Sequence, residues 1–222
     1  MRHKLVNTQE SELEVGRLLK ATFGEENVKV HPKVNMKQPD FRVKVNDEYV
    51  YVEVRAIKDI ASDQTKFSRI DDISNNLREI APEGIVGFEL EPAGRNRVLD
   101  RIAQKISEEC KQLPDGEQNV LIVKGEGFSI LPDKIIGAIV ERILQINRTT
   151  MNVKTKIISH FRTEKEAREA LEKISAIIAY RDVCQHEKLR GAFRNNERNA
   201  KIPLTKNTFS KFSSLMCKYC AY

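Results

Sequence analysis

Apolar residues in the first part of the chain follow two different spacings, one typical of helices and one typical of strands. Within residues 8–23, Val15, Leu18 and Leu19 recur at helical intervals, which predicts a first helix. Residues 27–34 have the short apolar–polar alternation of a strand. A helix followed by a strand therefore opens the chain.

The clearest strand signal lies in residues 41–55, where valines alternate with polar or aromatic residues. Asn46 and Asp47 interrupt this alternation, and both residue types favour the tight turns of β-hairpins. The segment therefore predicts a hairpin in which Val45 pairs with Glu48 across the turn.

The predicted register brings two acidic residues together. Side chains alternate between the faces of a sheet, so Asp40 lies opposite Glu53 on one face while the valines occupy the other. If the register slips by two residues, Asp40 faces Arg55 and Glu53 becomes its diagonal neighbour. In both registers the two carboxylates share one face.

Helices and strands alternate along the rest of the chain. The predicted helices are residues 62–80, 95–112, 132–146 and 164–174. The predicted strands are residues 85–90, 119–124 and 175–180. This alternation predicts an α/β fold with a mixed β-sheet flanked by helices. We expect one domain over residues 1–183 and an irregular basic extension over residues 184–222, packed on or trailing that domain.

The positive charge of the chain is concentrated at its C-terminal end. Residues 184–222 contain eight Lys or Arg and two Glu, which accounts for the whole net charge of +6. A basic segment on a neutral body suits a polyanionic partner such as nucleic acid. A solvated tail without a partner has the same composition, so charge leaves both alternatives open.

Several classes of protein are disfavoured by the sequence. No apolar run approaches the roughly 20 residues of a membrane helix, and the first residues lack the apolar stretch of a signal peptide. We therefore expect a cytoplasmic protein, without membrane contact, whose cysteines are thiols. Cys217 and Cys220 have the spacing of half a zinc site, which Cys184 and His186 would complete.

The opposed carboxylates predict a metal site. Opposed side chains in a hairpin have Cβ atoms about 5 Å apart, so Asp40 and Glu53 repel each other unless a cation lies between them. Mg²⁺ takes one or two carboxylates together with water and phosphate oxygens, and Mn²⁺ accepts the same ligands. A metal held there can activate water against a phosphodiester.

These residues resemble a known family. Pro39-Asp40, the hairpin and Glu53-Val54-Arg55 are similar to the motif of the PD-(D/E)XK nuclease superfamily, whose fold is restriction-endonuclease-like. The resemblance covers roughly residues 10–90 and implies a metal-dependent endonuclease that hydrolyses phosphodiester bonds, in DNA foremost. It assigns Asp40 and Glu53 to Mg²⁺ or Mn²⁺.

The first helix adds to the resemblance. Residues 12–19 match the pattern E-x-E-φ-x-x-L-L of archaeal Holliday-junction resolvases and related members, which places the family's helix carboxylate on Glu12. The catalytic residues implied are therefore Glu12, Asp40, Glu53 and Arg55. Many relatives dimerise to cut both strands, so a homodimer is one open alternative, and the form of the substrate stays open.

One residue departs from the motif, because Arg55 stands where the family has lysine. Arginine stays protonated and takes no proton from water, although it can hold a phosphate. Lys58 or Lys66 would have to replace the lysine, or Arg55 is an ion-pair partner of Asp40 or Glu53. The second hypothesis is thus an inactive nuclease-fold module that binds nucleic acid. A third is an enzyme of unrelated chemistry, which a wide separation of Asp40 and Glu53 would indicate.

Overall fold

The described part of the chain contains helices and strands in alternation. The computed structural model of the protein describes residues 2–34, 36–58, 97–126, 130–139, 141–146, 153–158, 160–184, 187–195 and 200–215. Its helices are α1 (Arg2–Phe23), α2 (Arg97–Cys110), α3 (Pro132–Gly137), α4 (Glu164–Lys173) and α5 (Lys206–Ser213). Its strands are β1 (Val28–Val30), β2 (Phe41–Val45), β3 (Glu48–Lys58), β4 (Gln118–Glu126), β5 (Glu141–Ile146), β6 (Val153–Ile158), β7 (Ala176–Cys184) and β8 (Glu187–Arg194).

The main sheet is mixed and has six strands in the order β1-β2-β3-β4-β7-β8. Its central strands β3, β4 and β7 run parallel, while β1, β2 and β8 pair antiparallel at the two sides. Parallel strands need helical crossovers that cover both faces, and β4 is accordingly buried along most of its length. The expected α/β class with a mixed sheet flanked by helices is confirmed.

The β2–β3 hairpin has the predicted register. Val45 pairs with Glu48, and the pairing continues to Phe41 opposite Val52. The turn residues Asn46 and Asp47 have φ values of 51° and 67°, as a type I′ turn requires. The short polar turn therefore sets the position of every side chain along both strands.

Each face of the sheet has its own hydrophobic core. The first core joins α1 and the segment around α5 to the valines of the hairpin, all of them buried: Val43, Val45, Val50, Val52 and Val54. The second core lies between the opposite face and helices α2, α3 and α4. The sheet is thus the middle layer, and its β3 strand has an apolar face toward α1 and a face toward α2.

The helix predicted for residues 132–146 ends at Gly137, and residues 141–146 form a strand that pairs antiparallel with residues 153–158. The apolar residues of 141–146 fit helical and strand spacing alike, and their isoleucines favour a strand. The pairing partner lies further along the chain, so local spacing did not reveal it.

The expectation of an irregular segment after residue 184 is wrong. Residues 187–194 form β8, which pairs with β7 as an edge strand of the main sheet, and residues 206–213 form α5. Arg194 anchors the connection, because its Nε and Nη2 donate to the carbonyl oxygen of Leu204 at 2.9 and 2.6 Å. The basic residues of this region therefore belong in part to ordered elements.

The other predicted elements are confirmed where they are described. The first helix begins earlier than predicted and ends at Phe23, the early strand is shortened to three residues, and α2, β4, α4 and β7 lie close to their predicted ranges. The helix predicted for residues 62–80 and the strand predicted for residues 85–90 lie outside the described residues. Within the described ranges, no helix has both the length and the apolar character needed to cross a membrane.

The close packing of β4 against the chain before α3 gives a test of the fold. A Cβ added to Gly125 would lie 2.1 Å from the carbonyl oxygen of Ile130, whereas one added to Gly137 would meet nothing within 4 Å. We expect Gly125→Ala to lower the free energy of unfolding by about 2 kcal/mol, and Gly137→Ala to raise it by about 0.5 kcal/mol. Urea unfolding of both variants checks this. Equal shifts of the two midpoints would contradict the packing described.

Candidate active site

The candidate site lies where β2 begins beside the middle of β3. Pairing of β3 with β2 ends at Val52, whereas pairing with β4 continues to Lys58. The hairpin register, continued by one residue, places Asp40 opposite Glu53. Strand β3 thus continues beyond the start of β2. The side chains of Asp40 and Glu53, where β2 begins, are within reach of α1 on one side and α2 on the other.

Asp40 is held in place by its neighbours' backbone. Its Oδ2 accepts a hydrogen bond from the Val54 N–H at 2.8 Å, and its carbonyl oxygen accepts one from the His31 N–H at 2.7 Å. Burial raises the pKa of the Asp40 carboxyl to about 7, although the Val54 hydrogen bond opposes the shift and the charges of Glu12 and Glu109 add to it. This carboxyl therefore titrates near neutral pH.

Glu53 is the more strongly perturbed of the pair. Only 7% of the residue is exposed, and burial together with the nearby charges of Asp40 and Glu109 raises the pKa of its carboxyl to about 9. Its Oε2 atom is buried and has no hydrogen-bond partner among the described residues. A buried carboxyl oxygen without a partner is destabilising, so this atom is suited to a ligand.

Glu12 reaches the site from α1. It is half-buried, and burial raises the pKa of its carboxyl while the positive charges of His31 and Arg55 lower it. Its charge also acts on Asp40 and Glu53. The structure thus brings together all four residues that the sequence analysis selected, from α1, the start of β2 and the middle of β3.

Arg55 pairs with a residue that the sequence analysis did not select. Its Nε lies 3.1 Å from Oε1 of Glu109 on α2, so the expectation that Asp40 or Glu53 would be its ion-pair partner is wrong. Glu109 is 8% exposed, and burial raises the pKa of its carboxyl while Arg55 and Lys105 lower it. The site therefore contains a fourth carboxylate.

A sequence signal for Glu109 did exist. It follows Ile106 by three residues in the apolar stripe of α2, whose members are Leu99, Ile102, Ile106 and Cys110. A carboxylate in such a stripe faces the sheet rather than solvent. Its position opposite Arg55 depends on how α2 packs across the sheet, which the local pattern does not contain.

The other lysines considered for the site lie elsewhere. Lys58 Nζ lies 3.2 Å from Oε2 of Glu126 at the ends of β3 and β4, and Lys66 is outside the described residues. Lys124 contacts Glu14 at 3.2 Å and Asp182 at 2.7 Å. Among the described residues, the cation that forms an ion pair with a carboxylate of the site is therefore Arg55.

Two carboxylates of the site have the oxygen donors that a divalent cation requires. Among the described residues no group of three or more His, Cys, Asp or Glu side chains is arranged to hold a metal ion. The Asp40 and Glu53 pair nevertheless fits Mg²⁺, because this ion commonly uses one or two carboxylates and completes its shell with water and substrate phosphate. Oε2 of Glu53, which has no hydrogen-bond partner among the residues described, is the atom that supports this fit.

The zinc alternative involves a different part of the chain. His186, Cys217 and Cys220 lie outside the described residues, as does the side chain of Cys184. Zinc binding by these residues stays a prediction.

Comparison of the chain with models of known families, with curated proteins and with solved structures gives no match.

The raised pKa values predict how the stability of the protein changes with pH. A carboxyl whose pKa is higher in the folded state stabilises the fold at low pH, and this contribution is lost as pH rises through the folded pKa. For Glu53 the window runs from about 4.5 to about 9. We therefore expect the metal-free protein to lose stability across this range, and Glu53→Gln to lose less.

Urea unfolding at several pH values in the presence of a chelator measures this difference. Glu169→Gln is the matched control, because Glu169 is exposed on α4 and its variant should follow the wild-type pH dependence. The same loss of stability in Glu53→Gln and wild type would show that Glu53 is ionised at neutral pH in the folded protein.

Proposed function

We propose that the chain is a member of the PD-(D/E)XK superfamily and a metal-dependent nuclease that hydrolyses phosphodiester bonds, in DNA foremost. The observation that carries the proposal is the buried pair of Asp40 and Glu53, in which one carboxyl oxygen has no hydrogen-bond partner within the part of the chain that the structure describes. The order of helix, strand and hairpin, with the aspartate before one hairpin strand and the glutamate inside the other, supports it.

Each site residue has a role that follows from its position. Asp40 and Glu53 would hold the divalent cation, which supplies Lewis acidity and a more acidic bound water. Glu12, half-buried at the side of α1, accepts hydrogen bonds from waters beside the pair. Arg55 would neutralise phosphate charge as the water oxygen bonds to phosphorus and the bond from phosphorus to the leaving oxygen breaks. The proton of the attacking water would pass to solvent, and the leaving oxygen would take a proton from solvent.

The protonation of the site matters for this chemistry. Arg55 stays charged and takes no proton from water, so its role is restricted to binding and orientation. The carboxyls of Asp40 and Glu53 have pKa values near or above neutrality, so a cation that binds them has to displace protons. Binding of the metal therefore removes the repulsion that burial of both groups creates.

An inactive nuclease-fold protein that binds nucleic acid is the second candidate function. The observation that favours it is the ion pair between Arg55 and Glu109, because it engages the residue that replaces the family's lysine. The close approach of Asp40 and Glu53 favours the nuclease, and it disfavours the third hypothesis of an accidental motif.

Metal binding by the acid pair is the first prediction of the proposal. We expect isothermal titration with Mg²⁺, and with Mn²⁺ alongside, to detect binding in the wild type in the presence of a short DNA duplex. Glu53→Gln should abolish binding, and it should leave the fold at least as stable because it replaces a carboxyl that burial makes difficult to ionise. Glu169→Gln should bind like the wild type. Absence of binding in the wild type, with and without DNA, would contradict the metal site.

Cleavage separates the two candidate functions. We expect the metal-loaded protein to cut DNA, and Arg55→Ala to lower kcat/KM by about 10²-fold, as loss of a donor to developing charge does in other enzymes. Arg55→Lys should recover part of the rate, because it restores a cation that can hold phosphate. Metal binding and DNA binding without cleavage by the wild type would support the inactive module instead.

A further inference from the structure

A groove of about 400 Å³ lies between α1 and the β1 side of the sheet, directly beside the acidic site. Its volume falls within the range of about 300–1,000 Å³ that is usual for small-ligand sites. One side of the groove is a stripe of α1, and the other is formed by β1 and the start of β2.

The interior of the groove is apolar. Leu13 on α1 is 62% exposed and Val30 on β1 is 46% exposed, and both line it together with Phe41. Phe41 packs under Gly16, where an added Cβ would lie 3.0 Å from its ring. The absence of a side chain at Gly16 thus allows helix and ring to approach closely, and the groove has an apolar wall that a flat ring can cover.

The rim of the groove is basic. Arg17 is exposed and has no ion-pair partner among the described residues, while Lys20 lies 2.7 Å from Glu25. His31 lines the opposite rim. An apolar wall with cations at its rim complements a base that carries a phosphate.

The groove and the acidic site share residues. Glu12 lines the groove, and its charge acts on both Asp40 and Glu53. Asp40 and Phe41 are consecutive, so strand alternation sends one side chain to the site and the other to the groove. His31 has a φ of 45° and donates its backbone N–H to the Asp40 carbonyl, and such unusual backbone is found most often at functional sites.

The geometry points to a binding site for one unpaired nucleotide of the strand whose phosphate enters the acidic site. This inference rests on the proposed nuclease function and specifies its substrate class as single-stranded or frayed DNA rather than continuous duplex. In a duplex the base is stacked and paired, and it has to leave the stack before it can enter a protein groove. An unpaired base enters without that penalty.

The spacing along α1 is compatible with this occupant. Glu12 and Arg17 are five residues apart in the helix, a distance of about 7.5 Å along its axis. One nucleotide bridges such a distance, so its base would cover Leu13 while its own phosphate meets Arg17. The next phosphate then lies at the Glu12 end, beside Asp40 and Glu53.

Binding by metal-free protein tests the inference independently of cleavage. Fluorescence anisotropy would compare a labelled single strand with a blunt duplex of the same length, in the Glu53→Gln background. The test variant is Leu13→Glu. The matched control is Ala21→Glu, which adds the same charge to an exposed position of α1 outside the groove lining.

We expect the single strand to bind more tightly than the duplex. Leu13→Glu should weaken single-strand binding by about tenfold, in line with the loss of one stacked base, and Ala21→Glu should change it far less. Equal weakening by the two variants, or tighter binding of the duplex, would overturn the inference. So would a dimer of the wild type that Leu13→Glu converts to monomers, because the groove would then hold a second copy of the chain.

Failure of this inference and failure of the nuclease proposal give different results. If metal binding is absent but Leu13→Glu weakens single-strand binding selectively, the groove is a nucleotide site and the nuclease proposal falls. If DNA is cut and Leu13→Glu behaves like Ala21→Glu, the nuclease proposal stands and the groove inference falls.

Discussion

Two carboxyl groups buried side by side are the constraint on which the candidate site depends. Asp40 and Glu53 are each less than one tenth exposed, and two charges this close in a poorly solvated position are strongly unfavourable. The pair therefore exists with a bound proton or with a bound cation. Neighbouring groups act on this repulsion in both directions. The backbone N–H of Val54 and the guanidinium of Arg55 partly offset it, whereas the charges of Glu12 and Glu109 increase it. Such an arrangement contributes little to folding, which is the reason to look for its role in binding.

Strand β3 makes this arrangement compatible with a stable protein. Its valines form one side of the core beneath α1, and the alternate positions carry Glu53 and Arg55 toward α2. Because the strand is central and paired on both sides over part of its length, its backbone is fixed by two neighbours. The destabilising carboxylates are thus attached to the most firmly held strand of the hairpin. The turn at Asn46 and Asp47 sets the register in which β2 pairs with β3. It therefore determines that Asp40, immediately before β2, lies beside Glu53.

The part of the site that lies within the β2–β3 hairpin was predictable from the sequence. The alternation of valines and the Asn46-Asp47 turn determine the pairing of β2 with β3, and that pairing is enough to bring Asp40 to Glu53. Glu109 was not predictable in the same way, since its contact with Arg55 requires α2 to pack across the sheet. The strand at residues 187–194 was not predicted for the same reason, because its pairing with β7 is a tertiary contact that the local pattern does not contain. The prediction of a helix over residues 141–146 was wrong because their apolar spacing fits both a helix and a strand. Pairing with residues 153–158 makes the segment a strand.

The contact between Arg55 and Glu109 bears on whether an arginine can serve this site. Arginine presents several N–H donors on one rigid plane and keeps its charge when partly buried, whereas lysine is a single point charge that loses its proton more readily on burial. The ion pair joins Nε of Arg55 to Oε1 of Glu109. The terminal nitrogens lie on the same plane, so one guanidinium can keep its contact with Glu109 on α2 and still donate to a phosphate. A lysine has a single ammonium group, so it could not contact Glu109 and a phosphate with the fixed geometry of a planar guanidinium. Glu109 and Arg55 therefore form a unit in which the carboxylate orients the cation, and an arginine at this position is consistent with a site that binds phosphate.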